Sequence, residues 1–176
     1  MEDLKKYIRS VPDFPKPGIK FYDITTLLID PAGFKKALDE MEGFVKPLGV
    51  TKIISIESRG FVFGAALADR LGIGLVTARK PGKLPYKTIS EEYALEYGTD
   101  SLEIHSDAVN EGEKVVVVDD LIATGGTLQA VCKMIERLGG VVAGISVVID
   151  LSFLPWREKL KGYNVHHLIS YDSEKM

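Results

Sequence analysis

Residues 115–127 constrain what this chain can fold into more than any other stretch: they read V-V-V-V-D-D-L-I-A-T-G-G-T. A continuous β-branched run bounded by turn residues is typical of a strand buried on both faces, as in a parallel sheet. Past the glycines, apolar residues recur at helical spacing: Val131, Met134, Ile135 and Leu138. We therefore predict a buried strand that ends at the two aspartates, followed by a helix that begins at the threonine-glycine turn.

The turn after this strand has the features of a phosphate site. A helix N-terminus offers unpaired N–H groups and a partial positive charge. Glycines allow the backbone to approach an anion closely, and threonine hydroxyls add donors. We assign phosphate binding to five consecutive residues: Ala123, Thr124, Gly125, Gly126 and Thr127.

Asp119 and Asp120 predict a second feature in the same ligand. Carboxylates repel phosphate and accept hydrogen bonds, so the ligand must also carry donors, and two vicinal hydroxyls fit that need. The segment therefore indicates a ribose 5-phosphate. The alternative is a capped strand–helix turn, but capping needs one aspartate and not two followed by T-G-G-T.

Cations stand at two further strand ends. The sequence E-S-R-G at 57–60 repeats the order of strand, tight turn and helix start, and the planar fork of Arg59 suits a phosphate. Arg79, Lys80 and Lys83 follow the next predicted strand. Each alone could be an exposed arginine or a solvated basic loop. Together, in a chain of net charge −3, they indicate a local site for a polyanion.

The remaining pattern alternates strands with helices. The predicted strands are 52–56, 74–78, 115–118, 141–149 and 165–169. The predicted helices are a short amphipathic one through Leu4, Tyr7, Ile8 and Val11, 31–45 capped by Asp30, 60–71, the one after Gly126, and a short one near Arg157. Such repeats predict an α/β fold: a doubly wound, mainly parallel sheet flanked by helices, in one domain over residues 1–176.

Two segments depart from that alternation. Residues 12–18 are rich in proline and cannot form a helix. Between residues 80 and 107, apolar and polar residues alternate as in a half-exposed hairpin. The glycines and polar positions of this second segment offer little apolar area to bury, so we expect it to be mobile.

Composition excludes several classes of protein. The net charge of −3 argues against nucleic acid as a partner, and no apolar run approaches the roughly 18 residues of a membrane span. We read no signal peptide before the acidic start of the chain. A single cysteine, Cys132, forms no internal disulfide, and the three histidines lack zinc spacing. These features favour a cytoplasmic protein.

Five blocks of sequence resemble the type I phosphoribosyltransferase family over nearly the whole chain, and its adenine-specific members most closely. They are F-P-K-P-G-I at 14–19, E-S-R-G-F at 57–61, R-K-P-G-K-L-P at 79–85, L-E-Y-G-T-D at 95–100, and the run at 115–127. The resemblance implies phosphoribosyl pyrophosphate and adenine as substrates, AMP and diphosphate as products, and Mg²⁺ carried mainly by the substrate. It also implies a homodimer, a base-binding hood over about residues 1–30, and a flexible catalytic loop or lid over about residues 80–107.

The resemblance also implies roles for individual residues. Ser58, Arg59, Arg79, Lys80 and Lys83 would bind the diphosphate group, and Phe14, Ile19 and Leu121 would bind adenine. Arg59 and Glu96 would be catalytic. Members that use 6-oxopurines carry an acid immediately before their threonine-glycine turn, where this chain has Ala123. Proton transfer would therefore fall to Glu96, which on pattern alone is an ordinary solvated hairpin glutamate.

Other functions fit the sequence less well. No G-x-x-x-x-G-K-[ST] motif indicates a nucleotide triphosphatase, and no G-x-G-x-x-G follows a strand. A xanthine or other purine transferase is the nearest enzymatic alternative. A non-catalytic regulator that binds phosphoribosyl pyrophosphate is the alternative from another class. One stretch, F-L-P-W at 153–156, replaces the family's glycine-containing turn, and we expect it to lie at the periphery of the site.

Overall fold

A computed structural model describes residues 2–94 and 98–173. A 3₁₀ helix (Glu2–Tyr7) precedes β1 (Arg9–Val11), β2 (Phe21–Asp23), α1 (Thr25–Ile29), α2 (Pro31–Val45) and a 3₁₀ turn (Lys46–Leu48). Then come β3 (Lys52–Ile56), α3 (Gly60–Leu71), β4 (Gly74–Ala78), β5 (Thr88–Ala94) and β6 (Thr99–His105). The chain continues with β7 (Lys114–Ile122), α4 (Gly126–Arg137), β8 (Val141–Leu151), α5 (Trp156–Lys159) and β9 (Val165–Tyr171).

Five strands form one parallel sheet in the order β4-β3-β7-β8-β9. Helices cover both of its faces, which confirms the doubly wound α/β prediction. β1–β2 and β5–β6 are separate antiparallel pairs. None of the helices in the described ranges is long and apolar enough to cross a membrane.

The valine run explains why the sheet is buried on both sides. Successive strand residues point to opposite faces. Val116 and Val118 pack in a core with α1, α2 and α3, while Val115 and Val117 pack in a second core with α4 and β6. Because β7 is the central strand, its carboxyl end opens between these two layers.

Helix α2 begins as the sequence predicts. The Asp30 side chain accepts a hydrogen bond from Gly33 N at 2.7 Å, and Pro31 occupies the first turn. The buried face of α2 contains Ala37, Leu38, Met41 and Val45.

Four elements differ from the sequence prediction. β7 runs through both aspartates to Ile122, because β8 also continues and pairs with it as far as Asp150. β8 and β9 are correspondingly longer than predicted. The N-terminal helix ends at Tyr7, and Val11 lies in β1, which pairs with β2. Strand pairing is a long-range effect that a local pattern does not contain.

The β5–β6 hairpin buries more apolar surface than we expected. Leu102 and Ile104 are fully buried in the core that contains α4, and Ile89 and Tyr93 pack against it. Mobility was expected because this segment offers little apolar area to bury, and that reason does not apply to β5 and β6. It holds better for the segment before β5, where residues 81–83 and 85–87 are exposed.

Candidate active site

A cavity of about 380 Å³ lies where β3 and β7 end. Its walls come from the turn after β3, the end of β7, the turn before α4 and the hairpin. From the predicted set they include Ser58, Arg59, Lys80, Asp119, Asp120, Leu121, Ala123, Thr124, Gly125 and Thr127. This is the edge at which open parallel sheets bind ligands.

The two aspartates form a buried carboxylate pair. Asp119 Oδ1 accepts a hydrogen bond from Asp120 N at 2.8 Å. Burial and the neighbouring Asp120 charge raise the pKa of Asp119 well above its ordinary value. Burial also raises the pKa of Asp120, although the Arg59 guanidinium opposes that rise. Carboxylates held this way gain most from a ligand that donates hydrogen bonds, as a ribose diol does.

Gly60 allows this pair to sit against α3. A Cβ at Gly60 would lie 2.8 Å from Asp119 Oδ1 and 3.1 Å from Val118 O. No larger residue fits there without moving β7 or the helix. This role of Gly60 was not predicted from the sequence, although its place in the E-S-R-G turn at 57–60 was the available signal.

The turn before α4 leaves the helix N-terminus without a side-chain cap. Gly125 adopts φ 77°, in the left-handed region, and α4 begins at Gly126. A Cβ at Gly126 would lie 3.2 Å from Ala94 O, at the end of β5. The hairpin thus sits directly beside the predicted phosphate turn.

This turn packs against Trp156. A Cβ at Gly125 would meet Trp156 Cβ at 3.1 Å, so this glycine is required by its φ and by packing against Trp156. The segment at 153–156 lines no part of the cavity, but its Trp156 packs directly behind the turn. Trp156 is fixed in turn by its indole N–H, which donates to the fully buried Asp150 at 2.6 Å.

Arg59 lies on the border between this cavity and a second one. Its Nε is 3.0 Å from Asp120 Oδ2, in an ion pair that lacks hydrogen-bond geometry, and its guanidinium lies 5.1 Å from the Phe21 ring centroid. The second cavity, of about 390 Å³, is lined by Val11, Phe14, Phe21, Asp23, Thr25 and Arg59. The Arg59 side chain therefore contacts Asp120 of the carboxylate pair on one side and Phe21 of the N-terminal segment on the other.

The N-terminal segment forms an aromatic wall. The Phe14 and Phe21 rings meet edge to face with centroids 5.1 Å apart. Ile19 does not line the cavity: its N–H donates to Lys16 O at 3.2 Å and its carbonyl accepts from Phe14 N at 3.1 Å. Phe21, which sequence reasoning missed, lines this cavity beside Phe14. The β1–β2 pairing that places Phe21 there spans the proline-rich loop and has no local signal.

Arg79 and Lys80 both have acidic partners. Arg79 donates to both carboxylate oxygens of Glu57 at 3.2 Å, and Lys80 N donates to Glu57 Oε2 at 2.9 Å. Although burial acts to raise the pKa of Glu57, these contacts bring it below its ordinary value. Arg79 does not line the cavity, and Lys83 is exposed.

The Lys80 side chain does reach the cavity. It forms an ion pair with Asp100 and lies 3.1 Å from Tyr93 Oη. Although burial acts to lower the pKa of Lys80, the Asp100 carboxylate raises it above its ordinary value. Glu96 lies outside the described residues, between the ends of β5 and β6 in the sequence.

Comparisons with known proteins agree with this geometry. A family model described as the phosphoribosyl transferase domain matches residues 36–162. Adenine phosphoribosyltransferase of Acetivibrio thermocellus is 57% identical over 170 residues, covering 96% of this chain and 99% of that one. The one from Kosmotoga olearia is 52% identical over 169 residues, covering 96% and 99%.

Solved structures give the same result. The crystal structure of adenine phosphoribosyltransferase from Thermoanaerobacter pseudethanolicus superposes with a TM-score of 0.93 at 53% identity, covering 97% of this chain and 99% of that one. The Saccharomyces cerevisiae enzyme, complexed with an imino-altritol bisphosphate and adenine, gives 0.89 at 37% identity, covering 96% and 97%.

Proposed function

Because this chain belongs to the phosphoribosyl transferase family, we propose that the cavity where β3 and β7 end is its catalytic site. The protein transfers the 5-phosphoribosyl group of phosphoribosyl pyrophosphate to adenine, giving AMP and diphosphate. The observation that carries the site assignment is the buried Asp119–Asp120 pair opening, beside an uncapped helix N-terminus, into one cavity.

Asp119 and Asp120 accept hydrogen bonds from the ribose hydroxyls, and the turn from Ala123 to Thr127 binds the 5′-phosphate. The support for this division is chemical. The carboxylates are buried acceptors, whereas the turn offers backbone N–H groups, two hydroxyls and the positive end of α4.

Ser58, Arg59 and Lys80 bind the diphosphate group, since all three line the cavity beside the aspartates. Arg79 and Lys83 act from the adjoining loop. Arg79 acts mainly through Glu57: it donates hydrogen bonds to the Glu57 carboxylate, which also accepts one from Lys80 N. Neutralising the departing diphosphate lowers the barrier to breaking the bond from C1 to oxygen.

Adenine binds between the hood and the ribose site. Phe14 and Phe21 offer aromatic faces, and Leu121 lines the ribose side. The Ile19 carbonyl accepts one hydrogen bond from Phe14 N and keeps its second lone pair for the 6-amino group of adenine. Arg59 lies between these walls, next to the place where base and sugar must meet.

The reaction passes through an oxocarbenium-like sugar. N9 of adenine bonds to C1 as diphosphate leaves with the bonding electrons, and the proton carried by N7 of the attacking base passes to Glu96. Ala123 has no carboxylate that could receive a proton from a 6-oxopurine. Water must stay out of the cavity, because it would hydrolyse the activated sugar.

Mg²⁺ fits this site as an ion carried by the substrate. Among the described residues, no group of three or more His, Cys, Asp or Glu side chains could hold a metal. Asp119 and Asp120 would instead orient the hydroxyls that coordinate it. When bound, the ion would neutralise charge on the diphosphate.

The whole chain acts as one domain, in which residues 1–30 form the hood and residues 80–107 form a lid. We place the homodimer contact at the α3–β4 edge of the sheet, where Val62 and Leu75 are each 41% exposed. Light scattering coupled to gel filtration measures the mass. A monomer at assay concentrations would contradict the homodimer.

Parallel assays test the function. Phosphoribosyl pyrophosphate is supplied with adenine, hypoxanthine, guanine or xanthine, with Mg²⁺ or with EDTA. We expect AMP and diphosphate from adenine with Mg²⁺, and little product otherwise. Comparable turnover of hypoxanthine would overturn the base assignment, and binding without turnover would favour the regulator.

A further inference from the structure

Three cations beside the cavity each have a carboxylate partner. The pairs are Arg59 with Asp120, Arg79 with Glu57, and Lys80 with Asp100. A diphosphate group that binds these cations must compete with carboxylates that already neutralise them. The three carboxylates differ in how easily they can be displaced.

Asp100 is the most exposed of the three. Its side chain is 31% exposed, against 18% for Glu57 and 6% for Asp120. A carboxylate that reaches water recovers its hydration when it loses a cation, whereas a buried one does not. Glu57 is also held by two contacts from Arg79 and one from Lys80 N. Lys80 can therefore exchange its partner at the lowest cost.

Asp100 also connects Lys80 to the hairpin. Tyr93 and Asp100 stand opposite each other in the β5–β6 ladder. Tyr93 Oη lies 3.1 Å from Lys80 Nζ and donates to Asp100 Oδ2 at 3.3 Å. Ser101 N holds the other oxygen, Asp100 Oδ1, at 2.8 Å.

Lys80, Tyr93 and Asp100 lie close to the end of the β5–β6 ladder. The β5–β6 ladder closes at the pair Ala94–Thr99, one step beyond Tyr93–Asp100. Glu96 lies in the sequence between those strands. A change of partner at Lys80 therefore acts on the Tyr93–Asp100 pair, one step from the last pair of the ladder.

We propose that Asp100 is a displaceable counter-ion: it pairs with Lys80 when no diphosphate is bound, yields Lys80 to the diphosphate group, and reclaims it as diphosphate leaves. This exchange couples occupancy of the diphosphate site to the hairpin that carries Glu96. The inference rests on the proposed function, because diphosphate is the competing anion. Asp100 is a positioning residue, since it acts through Lys80.

Calorimetric titration with diphosphate tests the exchange. Asp100→Asn keeps the shape of the side chain and removes its charge, so we expect diphosphate to bind about three- to tenfold more tightly. Asp69→Asn is the matched control. Asp69 is exposed on α3 and lines neither cavity, so its loss of charge should leave affinity unchanged.

A double-mutant cycle separates the exchange from a general charge effect. In a Lys80→Ala background, Asp100→Asn should change diphosphate affinity by less than about twofold, because the shared partner is gone. An equal gain in both backgrounds would overturn the proposal, as would unchanged or weaker binding by Asp100→Asn in the otherwise wild-type protein.

Steady-state kinetics give a second readout. Asp100→Asn should lower KM for phosphoribosyl pyrophosphate by a similar factor and leave KM for adenine unchanged. Equal changes in both KM values would indicate a structural defect and refute the exchange. If Asp100→Asn does not fold by circular dichroism, Asp100→Ser takes its place with the same expectation.

Failure of the proposed function is seen separately. A wild-type protein that neither binds diphosphate nor makes AMP would refute the transferase assignment itself. An active wild-type enzyme whose Asp100→Asn variant binds diphosphate no better would refute the counter-ion alone.

Discussion

Replacing Arg59 by alanine should affect both cavities at once. The guanidinium pairs with Asp120 on one side and lies over the Phe21 ring on the other. Breaking a fully buried ion pair costs about 3–5 kcal/mol. Because the Arg59 side chain is 41% exposed, we expect about 1–2 kcal/mol of stability to be lost.

The effect on catalysis should exceed the effect on stability. A charge-assisted contact to the leaving group contributes about 2–4 kcal/mol to the transition state, so kcat/KM for phosphoribosyl pyrophosphate should fall roughly 30- to 1,000-fold. Loss of the Arg59 charge should also raise the pKa of Asp120, since that charge now lowers it against the effect of burial. As the pH is lowered, the Arg59→Ala enzyme should therefore begin to lose activity at a higher pH than the wild type.

Initial-rate kinetics with each substrate varied in turn provide the assay. Arg59→Lys keeps the charge without the planar fork and should recover part of the rate. Arg70→Ala is a control in the last turn of α3, the helix that Arg59 precedes, and Arg70 pairs with Asp39 and Glu42 away from both cavities. An Arg59→Ala enzyme within about threefold of wild type would refute a role in binding the leaving group.

Three further predictions concern the acid, the lid and stability. Glu96→Gln should lower kcat by about 10²–10⁴-fold, with little change in affinity for phosphoribosyl pyrophosphate, and full activity would exclude a proton-transfer role. Trypsin should cleave the wild-type protein near the exposed Lys83 or Lys87, and substrate should suppress that cleavage; resistance without substrate would count against a lid. Glu113→Gln should lower the free energy of unfolding near pH 7 by about 2 kcal/mol. Although burial acts to raise the pKa of Glu113, contacts with Thr51, the Asn110 N–H and Lys52 lower it to about 2. The stability from this group is therefore complete above the ordinary value of 4.5 and is lost as pH falls toward about 2. Urea unfolding of the wild type and of Glu113→Gln should show that the difference between their free energies of unfolding shrinks over that pH range. A difference independent of pH would contradict this role of Glu113.

The central sheet could be predicted because its determinants are local. Four valines in succession have two apolar faces and require layers on both sides. The aspartate pair and the glycine turn follow within the same strand–helix unit, so their position between β7 and α4, at the edge of the cavity, was also predictable. For the same reason α2 was placed correctly from Asp30 and Pro31.

The rest of the site depends on contacts between distant segments. Phe21 reaches Phe14 only because β1 pairs with β2, and Lys80 meets Asp100 only because the hairpin folds back on the sheet. Trp156 packs behind Gly125 because Asp150, at the end of β8, holds its indole N–H. No local periodicity encodes such pairings, so none of them was predicted from the sequence.

A crystal structure of the complex with AMP and diphosphate tests the assignment of the site most directly. We expect the 5′-phosphate on the turn from Thr124 to Thr127, the ribose hydroxyls on Asp119 and Asp120, and the adenine ring against Phe14. The diphosphate should contact Lys80, with Asp100 released from it. A 5′-phosphate bound away from the α4 N-terminus, or ribose hydroxyls that make no contact with either aspartate, would contradict the account.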